Sequence, residues 1–213
     1  MSLSIERAAT RGAHFGAVIL AAGASTRMGS PKQLLVLDDR PLVVRAAEAA
    51  LNAGCWPVVV ALGAQVEKIR PVLARLPVLV ADTPDWSEGM AASIRAGVTT
   101  VRQFSRSLEG VVVALCDQPA FSADVIRQLI AAQRHTGRTI AAARYHGRCA
   151  APALFTREHF ETLAHLTGEA GARDLLNADP ARVAAVELPA LEFDFDTPGD
   201  IAAWEKSPAR SAP

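Results

Sequence analysis

Short runs of consecutive apolar residues alternate along the chain with stretches whose apolar positions recur at helical spacing. Residues 16–21, Pro57 to Leu62, Val78 to Ala81 and Gly110 to Leu115 read as buried strands, each closed by glycine, proline or a polar residue. Between them, Leu42, Val43, Ala46, Ala47, Ala50 and Leu51 form a helical stripe behind Pro41 and before Gly54. Residues 65–75 predict a helix disturbed by Pro71, and a further helix starts near Gly89 and runs to about Thr99, before a polar loop at 102–109. Ser122 caps a helix reaching His135, with Gly137 just past its end. Thr139 to Arg144 is a strand, Tyr145-His146-Gly147-Arg148 a hairpin tip, and Ala153-Leu154-Phe155 a further short strand. Residues 157–166 and 170–178 predict helices, and Val183 to Leu188 and Glu192 to Phe195 late strands. Thr197-Pro198-Gly199-Asp200 opens the last helix: threonine caps, proline sits at the first position and the aspartate reaches back. Strands alternating with helices predict an α/β protein, a mostly parallel sheet covered on both faces.

Composition adds bounds. The chain has 213 residues, half of them hydrophobic, enough for one domain with a real core. The expected domain spans residues 14–206, with 1–13 a loose leader and 207–213 a disordered tail. Basic and acidic residues balance at 22 each, so no groove for nucleic acid is implied. No apolar run approaches a membrane span, and the first fifteen residues lack the apolar core of a signal peptide. Three cysteines, Cys55, Cys116 and Cys149, have neither an even count nor metal-ligand spacing, which reads as reduced thiols in a cytoplasm.

The chemistry concentrates where the first strand ends, at Leu20-Ala21-Ala22-Gly23-Ala24-Ser25-Thr26-Arg27-Met28-Gly29-Ser30-Pro31-Lys32. Small residues let the backbone pass close to something bulky, and Arg27 and Lys32 add two cations to a loop with exposed N–H groups. That combination describes an anion site of the kind that takes phosphates. The spacing excludes a P-loop, because five residues separate Gly23 from Gly29 and Ser30-Pro31 precede Lys32. The dinucleotide fingerprint G-x-G-x-x-G is absent.

In a parallel sheet, ligands sit beyond the carboxyl ends of the strands. Gly23, Asp82 and Asp117 all fall at such ends. Asp117, before the turn at Pro119, is placed either to hold Mg²⁺, which favours one or two carboxylates plus phosphate oxygens, or to cap a turn. Asp194 and Asp196, two apart on an expected strand, face one way, either sharing a metal with Asp117 or lying on an exposed edge. The stretch from Trp86 to Ser93 opens a helix whose backbone donors at Gly89 can hold a base edge or a phosphate. Ser93 either bonds a base or bonds the carbonyl one turn back. His146 reads as a solvated surface residue, and neither a Ser/His/Asp arrangement nor zinc spacing occurs.

Four motifs occur in order: Leu20 to Lys32, Asp82-Thr83-Pro84-Asp85-Trp86-Ser87-Glu88-Gly89-Met90-Ala91-Ala92-Ser93, Cys116-Asp117-Gln118-Pro119, and Asp194-Phe195-Asp196-Thr197-Pro198-Gly199-Asp200. Together they resemble the molybdenum cofactor cytidylyltransferase branch of the nucleotidyltransferases, a wider family that includes molybdopterin guanylyltransferase. The resemblance covers about residues 14–206. It implies a Rossmann-like three-layer αβα fold with a mixed sheet, as in nucleotide-diphospho-sugar transferases. It implies transfer of a nucleotidyl group, CMP from CTP before GMP from GTP, onto a molybdopterin-type phosphate with Mg²⁺ and release of pyrophosphate. By position, Ala21 to Gly23, Arg27 and Lys32 would hold the nucleotide and Asp117 the metal. Leu20, Asp82, Gly89 and Ser93 complete the expected nucleotide set. An apo-molybdoenzyme or its chaperone would be the protein partner. One departure stands out: Cys149-Ala150-Ala151 precede Pro152 where the family shows a glycine and a polar residue, in the segment towards the acceptor. A sugar- or methylerythritol-phosphate nucleotidyltransferase, and a non-catalytic nucleotide-binding partner delivering cofactor, are the competing readings.

Overall fold

A computed structural model of the chain describes residues 14–169 and 171–207. The leader at 1–13 and the tail beyond Ser207 lie outside the described residues. In chain order the elements are β1 (Phe15–Ala21), a two-strand ribbon β2 (Val36–Leu37) and β3 (Arg40–Pro41), α1 (Leu42–Asn52), β4 (Val58–Leu62), α2 (Val66–Leu73), β5 (Leu79–Asp82) and α3 (Met90–Phe104). They continue with β6 (Gly110–Leu115), α4 (Ala123–Thr136), β7 (Ile140–Tyr145), β8 (Arg148–Thr156), α5 (Phe160–Ala164), α6 (Arg173–Ala178), β9 (Val183–Glu187) and α7 (Pro198–Glu205).

The apolar runs become one seven-stranded sheet in the order β5-β4-β1-β6-β8-β7-β9. Strands β5, β4, β1 and β6 pair in parallel, and β8 alone runs against its neighbours β6 and β7. β9 pairs in parallel with β7. The sheet is therefore mixed but mostly parallel, and its faces are covered separately. On one, Phe15, Ala17 and Ile19 of β1 pack with α1, α2 and α4 through Val43, Ala47, Ile69 and Leu129. On the other, Val18 and Leu20 pack with α3, α5 and α6 through Ile94, Val98, Leu163 and Leu176. Strand alternation sends successive β1 side chains to opposite layers, and both layers are dry, which is why the strand reads as an unbroken apolar run.

Several expected boundaries move. α3 extends to Phe104, past Thr99 and into the expected polar loop, because Val98 and Val101 continue its buried stripe. Pro71 lies inside α2 without ending it. The short strand expected at 153–155 is the middle of the nine-residue β8, joined to β7 by a turn with His146 and Gly147 both left-handed. Of the helix expected at 157–166, Arg157–His159 form a 3-10 turn and Phe160–Ala164 the short α5, and the second expected helix begins only at Arg173.

The expected strand at 192–195 does not form. A 3-10 turn spans Pro189–Glu192, and the segment that follows is extended, with no sheet ladder. It is fixed by Phe195, whose side chain is buried with Leu42 and Trp204 and whose N–H donates to the Asp117 carbonyl at 3.1 Å. The capping box at Thr197 and Asp200 forms as the sequence predicts and starts α7 directly after Asp196.

Candidate active site

The loop after β1 is held by side chains within it. Gln33, almost fully buried, donates from Nε2 to the carbonyls of Gly23 at 2.8 Å and Ala21 at 3.2 Å. Its Oε1 accepts from the Ser25 hydroxyl at 3.1 Å, and that hydroxyl accepts from the Lys32 N–H at 3.0 Å. A glutamine beside a lysine in a polar loop carries no periodic signal, so the sequence gives no reason to single out Gln33. Its three side-chain bonds fix the path from Ala21 to Lys32 and leave the nearby backbone free to meet a ligand.

A cleft of about 360 Å³ opens beside this loop, at the carboxyl ends of β1 and β6 and the start of α3. Leu20, Ala21, Ala22, Gly23, Lys32, Gly89, Ser93 and Asp117, all expected at the site, line it together. A larger surface depression lies at the other end of the sheet, between α3 and α5 around Arg102 and Arg157, and contains none of them. The cleft also takes in Trp86 and Met90, two large apolar side chains left more than a third exposed. Gly63 makes this wall possible. A Cβ there would stand 2.6 Å from the Trp86 Cβ and 2.8 Å from the Ala22 carbonyl oxygen, so only glycine lets the loops after β1, β4 and β5 close on one another. Gly89, at φ 108°, turns the chain from the 3-10 turn at Trp86–Glu88 into α3. Ser93 is buried in the first turns of α3, and its hydroxyl makes no hydrogen bond among the described residues. Thr100 on the same helix does bond the carbonyl one turn back.

At the mouth, Lys32 stands between two carboxylates. Its Nζ is 2.5 Å from Asp117 Oδ2 and 2.6 Å from Asp196 Oδ1, and Arg27 reaches the other oxygen of Asp196 at 2.7 Å. Lys32 and Asp117 are largely buried, whereas Arg27 is 70% exposed. Burial by itself would lower the Lys32 ammonium, but the Asp117 and then the Asp196 carboxylates outweigh it and hold the ammonium above the usual lysine range. Hydrogen bonding to Lys32 holds Asp196 below the ordinary carboxylate range. Burial, then the nearby charges of Asp196 and Asp117, pushes Asp194 up. Asp194 and Asp196 stand on an extended loop rather than on the strand the sequence predicts.

The expected residues do not all converge. Asp82 is outside the cleft: at the end of the edge strand β5 its carboxylate is ion-paired with Arg70. Asp194 does not line the cleft either. Among the described residues no three His, Cys, Asp or Glu side chains form a ready metal cage. Asp117 nevertheless keeps Oδ1 buried with no hydrogen-bond partner. A buried carboxylate oxygen without a donor is costly unless a cation or water meets it. Mg²⁺ needs only one or two carboxylates when phosphate oxygens supply the rest, so Asp117, with Asp196 beside it, fits such an ion.

The match with known proteins follows the same residues. The profile of the MobA-like NTP transferase domain matches residues 17–184, from β1 into β9. Nicotine blue oxidoreductase of Paenarthrobacter nicotinovorans is 34% identical over 173 residues, covering 76% of this chain and 81% of that protein. The crystal structure of Rv0371c from Mycobacterium tuberculosis H37Rv is similar at a TM-score of 0.78 and 28% identity, covering 92% of this chain and 99% of that one. A structure of Rv0371c in complex with manganese is similar at a TM-score of 0.72 and 26% identity, covering 92% of this chain and 100% of that one. The profile takes in both the braced loop after β1 and the carboxylate after β6, and the sheet that carries them is the one these proteins share. The chain belongs to the MobA-like NTP transferase family, and is a nucleotidyltransferase by family and by fold.

Proposed function

We propose that this protein transfers CMP from CTP to a molybdopterin-type phosphate, releasing pyrophosphate with Mg²⁺ as the metal. The observation that carries the reading is the Lys32 ammonium held between Asp117 and Asp196 at the mouth of a cleft walled by the backbone of Ala21 to Gly23. A triphosphate entering there meets Lys32 and Arg27, whose present partners are carboxylates. Exchanging those partners for phosphate oxygens frees Asp117 and Asp196 beside the same phosphates. Mg²⁺, when bound by Asp117 with Asp196, supplies charge neutralisation on the triphosphate oxygens. Lys32 and Arg27 are the residues in position to stabilise charge on the α-phosphate and on departing pyrophosphate.

No general base is required. A phosphate monoester has its second pKa near ~6 and is mostly a dianion at neutral pH. Its oxygen attacks the α-phosphorus, a new P–O bond forms, and the bond to the bridging oxygen of pyrophosphate breaks. The protein's part is alignment and charge. The base slot runs along Ala22, whose methyl narrows it towards a pyrimidine, and Ser93 offers an uncommitted hydroxyl. The manganese held by Rv0371c supports a divalent metal here. The acceptor rests on the motif resemblance, and an apo-molybdoenzyme or its chaperone would receive the product. The reduced, buried thiols of Cys55 and Cys116 suit a cytoplasmic setting.

The test is a pyrophosphate-release screen of the four triphosphates against molybdopterin, sugar phosphates and methylerythritol phosphate. CTP with molybdopterin should give the highest kcat/KM. Better use of GTP would reject the cytidylyl assignment and keep nucleotidyl transfer. Binding of nucleotide without pyrophosphate release from any acceptor would reject transfer itself, and the oxidoreductase name of the Paenarthrobacter relative would then direct the next assay.

A further inference from the structure

Gln118, next to Asp117, does not line the cleft, yet its side chain is buried and makes more contacts than its chemistry can satisfy at once. Its Nε2 lies 2.9 Å from the Leu191 carbonyl, 3.2 Å from the Tyr145 hydroxyl and 3.3 Å from the Ala151 carbonyl. The Tyr145 hydroxyl in turn donates to the same Ala151 carbonyl at 3.0 Å. Three oxygens around one nitrogen fix which end of the amide faces them, because only the NH₂ end can donate. Oε1 is buried without a partner.

We propose that Gln118 is the positioning residue that holds the acceptor side of the site against the nucleotide side, an inference that rests on the nucleotidyl-transfer reading. Asp117 and Gln118 are consecutive, so one turn of chain joins the metal-binding carboxylate to both segments that differ from a plain parallel sheet. Through Tyr145 and Ala151 it grips the β7–β8 hairpin on both strands. Through Leu191 it grips the start of the 191–196 segment, whose other end is tied by the Phe195 N–H to the Asp117 carbonyl. An apolar side chain of similar size cannot replace the grip: the Tyr145 hydroxyl and the Ala151 carbonyl would keep each other, but the Leu191 carbonyl would lose its donor and the hairpin its link to the 191–196 segment.

The measurement pairs kinetics with amide hydrogen exchange in Gln118→Leu and Tyr145→Phe. In Gln118→Leu, kcat/KM for the molybdopterin-type acceptor should fall by about tenfold or more, while CTP affinity measured without divalent metal, where the braced loop at 20–32 is the binding element, stays within about twofold. Exchange should quicken at residues 145–151 and 191–196 but not at 17–34. Tyr145→Phe, which keeps the bond to Leu191, should give a smaller loss confined to the acceptor. Unchanged acceptor kinetics with unchanged exchange would overturn the proposal. So would equal losses of CTP affinity and acceptor use with faster exchange throughout, the mark of a general packing role. If the unaltered protein transfers to no acceptor, the functional reading fails separately. Exchange then decides this inference alone: quickening confined to the two segments supports it, and uniform or absent quickening rejects it.

Discussion

The two halves of the sheet are built on different rules. On one side, β5, β4, β1 and β6 run in parallel with nearly every β4, β1 and β6 residue buried. On the other, β8 runs against its neighbours, and the β7–β8 hairpin and β9 expose arginines, a glutamate and a half-buried Cys149. The parallel half ends in the braced loop, in Gly63 and in Asp117, and it would hold the nucleotide. The mixed half is tied to the turn carrying Asp117 by Gln118, which bonds Tyr145, Ala151 and Leu191. On the proposed reading the braced loop would meet the triphosphate, and the half that would meet the acceptor is linked to the Asp117 turn by the buried hydrogen bonds of Gln118. The difference predicts that damage to the first half removes all turnover, whereas damage to the second changes which acceptor is used.

The sharpest break of that asymmetry is at the mouth. Asp117→Ala should abolish turnover while the protein remains folded, checked by pyrophosphate release and by thermal melting. Lys32→Met should lower kcat by about 10²–10³-fold, as removal of one preorganised donor does in other sites. It should also tighten Mn²⁺ binding to the nucleotide-free protein, because the ammonium no longer competes for Asp117 and Asp196. Paramagnetic relaxation of Mn²⁺ titrations reads this without turnover. A lowered melting temperature with normal kinetics in Lys32→Met would make the cation structural.

The same division explains what the sequence reveals. β1, β4 and β6 are legible because a strand buried on both faces is an apolar run, and α4 is legible because its serine cap and terminal glycine are local chemistry. The loop after β1 is legible from residue type alone: Arg27 and Lys32 are cations beside small residues. What holds these parts in place is not. Gln33 and Gln118 each act on carbonyls 10 or more residues away in sequence, and a glutamine in a loop has no periodicity to betray burial. Asp82 illustrates the converse. It ends a strand as Asp117 does, but its strand is the edge, so its carboxylate meets Arg70 outside rather than the cleft. Whether a strand end faces the site depends on strand order, which apolar runs do not encode. The 192–195 stretch alternates like a strand because Phe195 is buried between two outward aspartates, and nothing local signals that no neighbouring strand is there to pair with.

A smaller effect should come from the slot wall. Gly63→Ala places a methyl within 2.8 Å of the Ala22 carbonyl and 2.6 Å of the Trp86 Cβ, contacts that backbone must yield to. Overpacking of this kind costs about 1–3 kcal/mol. CTP affinity should weaken while acceptor KM holds, measured by titration calorimetry and initial rates. Ala22→Gly should act in the other direction, widening the slot. One methyl is worth about 1–3 kcal/mol of discrimination, so the preference for CTP over GTP should relax without reversing. An unchanged CTP/GTP ratio of kcat/KM would move the base away from Ala22.

The smallest effect separates the two aspartates that flank Phe195. Asp196 is depressed by its bond to Lys32, so its contribution to stability is present above the ordinary carboxylate pKa and is lost as pH falls through its lower, folded value. Asp194 is the opposite case. Burial and the charges of Asp196 and Asp117 raise it, so the folded state holds its proton more tightly than the unfolded chain does. Stability from this group is therefore lost as pH rises through the raised value, and at neutral pH its ionised form is a net cost. Asp194→Asn removes that cost. The variant should melt slightly higher than the unaltered protein at neutral pH, by less than about 1 kcal/mol because solvent screens an exposed carboxylate. The advantage should vanish when both are melted below the carboxylate range, where Asp194 is protonated anyway. If Asp194 instead shares the metal, the order reverses under load: with CTP and Mg²⁺ present, Asp194→Asn should gain less thermal stabilisation from the ligands than the unaltered protein does. Equal ligand-induced shifts would leave Asp117 and Asp196 as the metal's carboxylates, without Asp194.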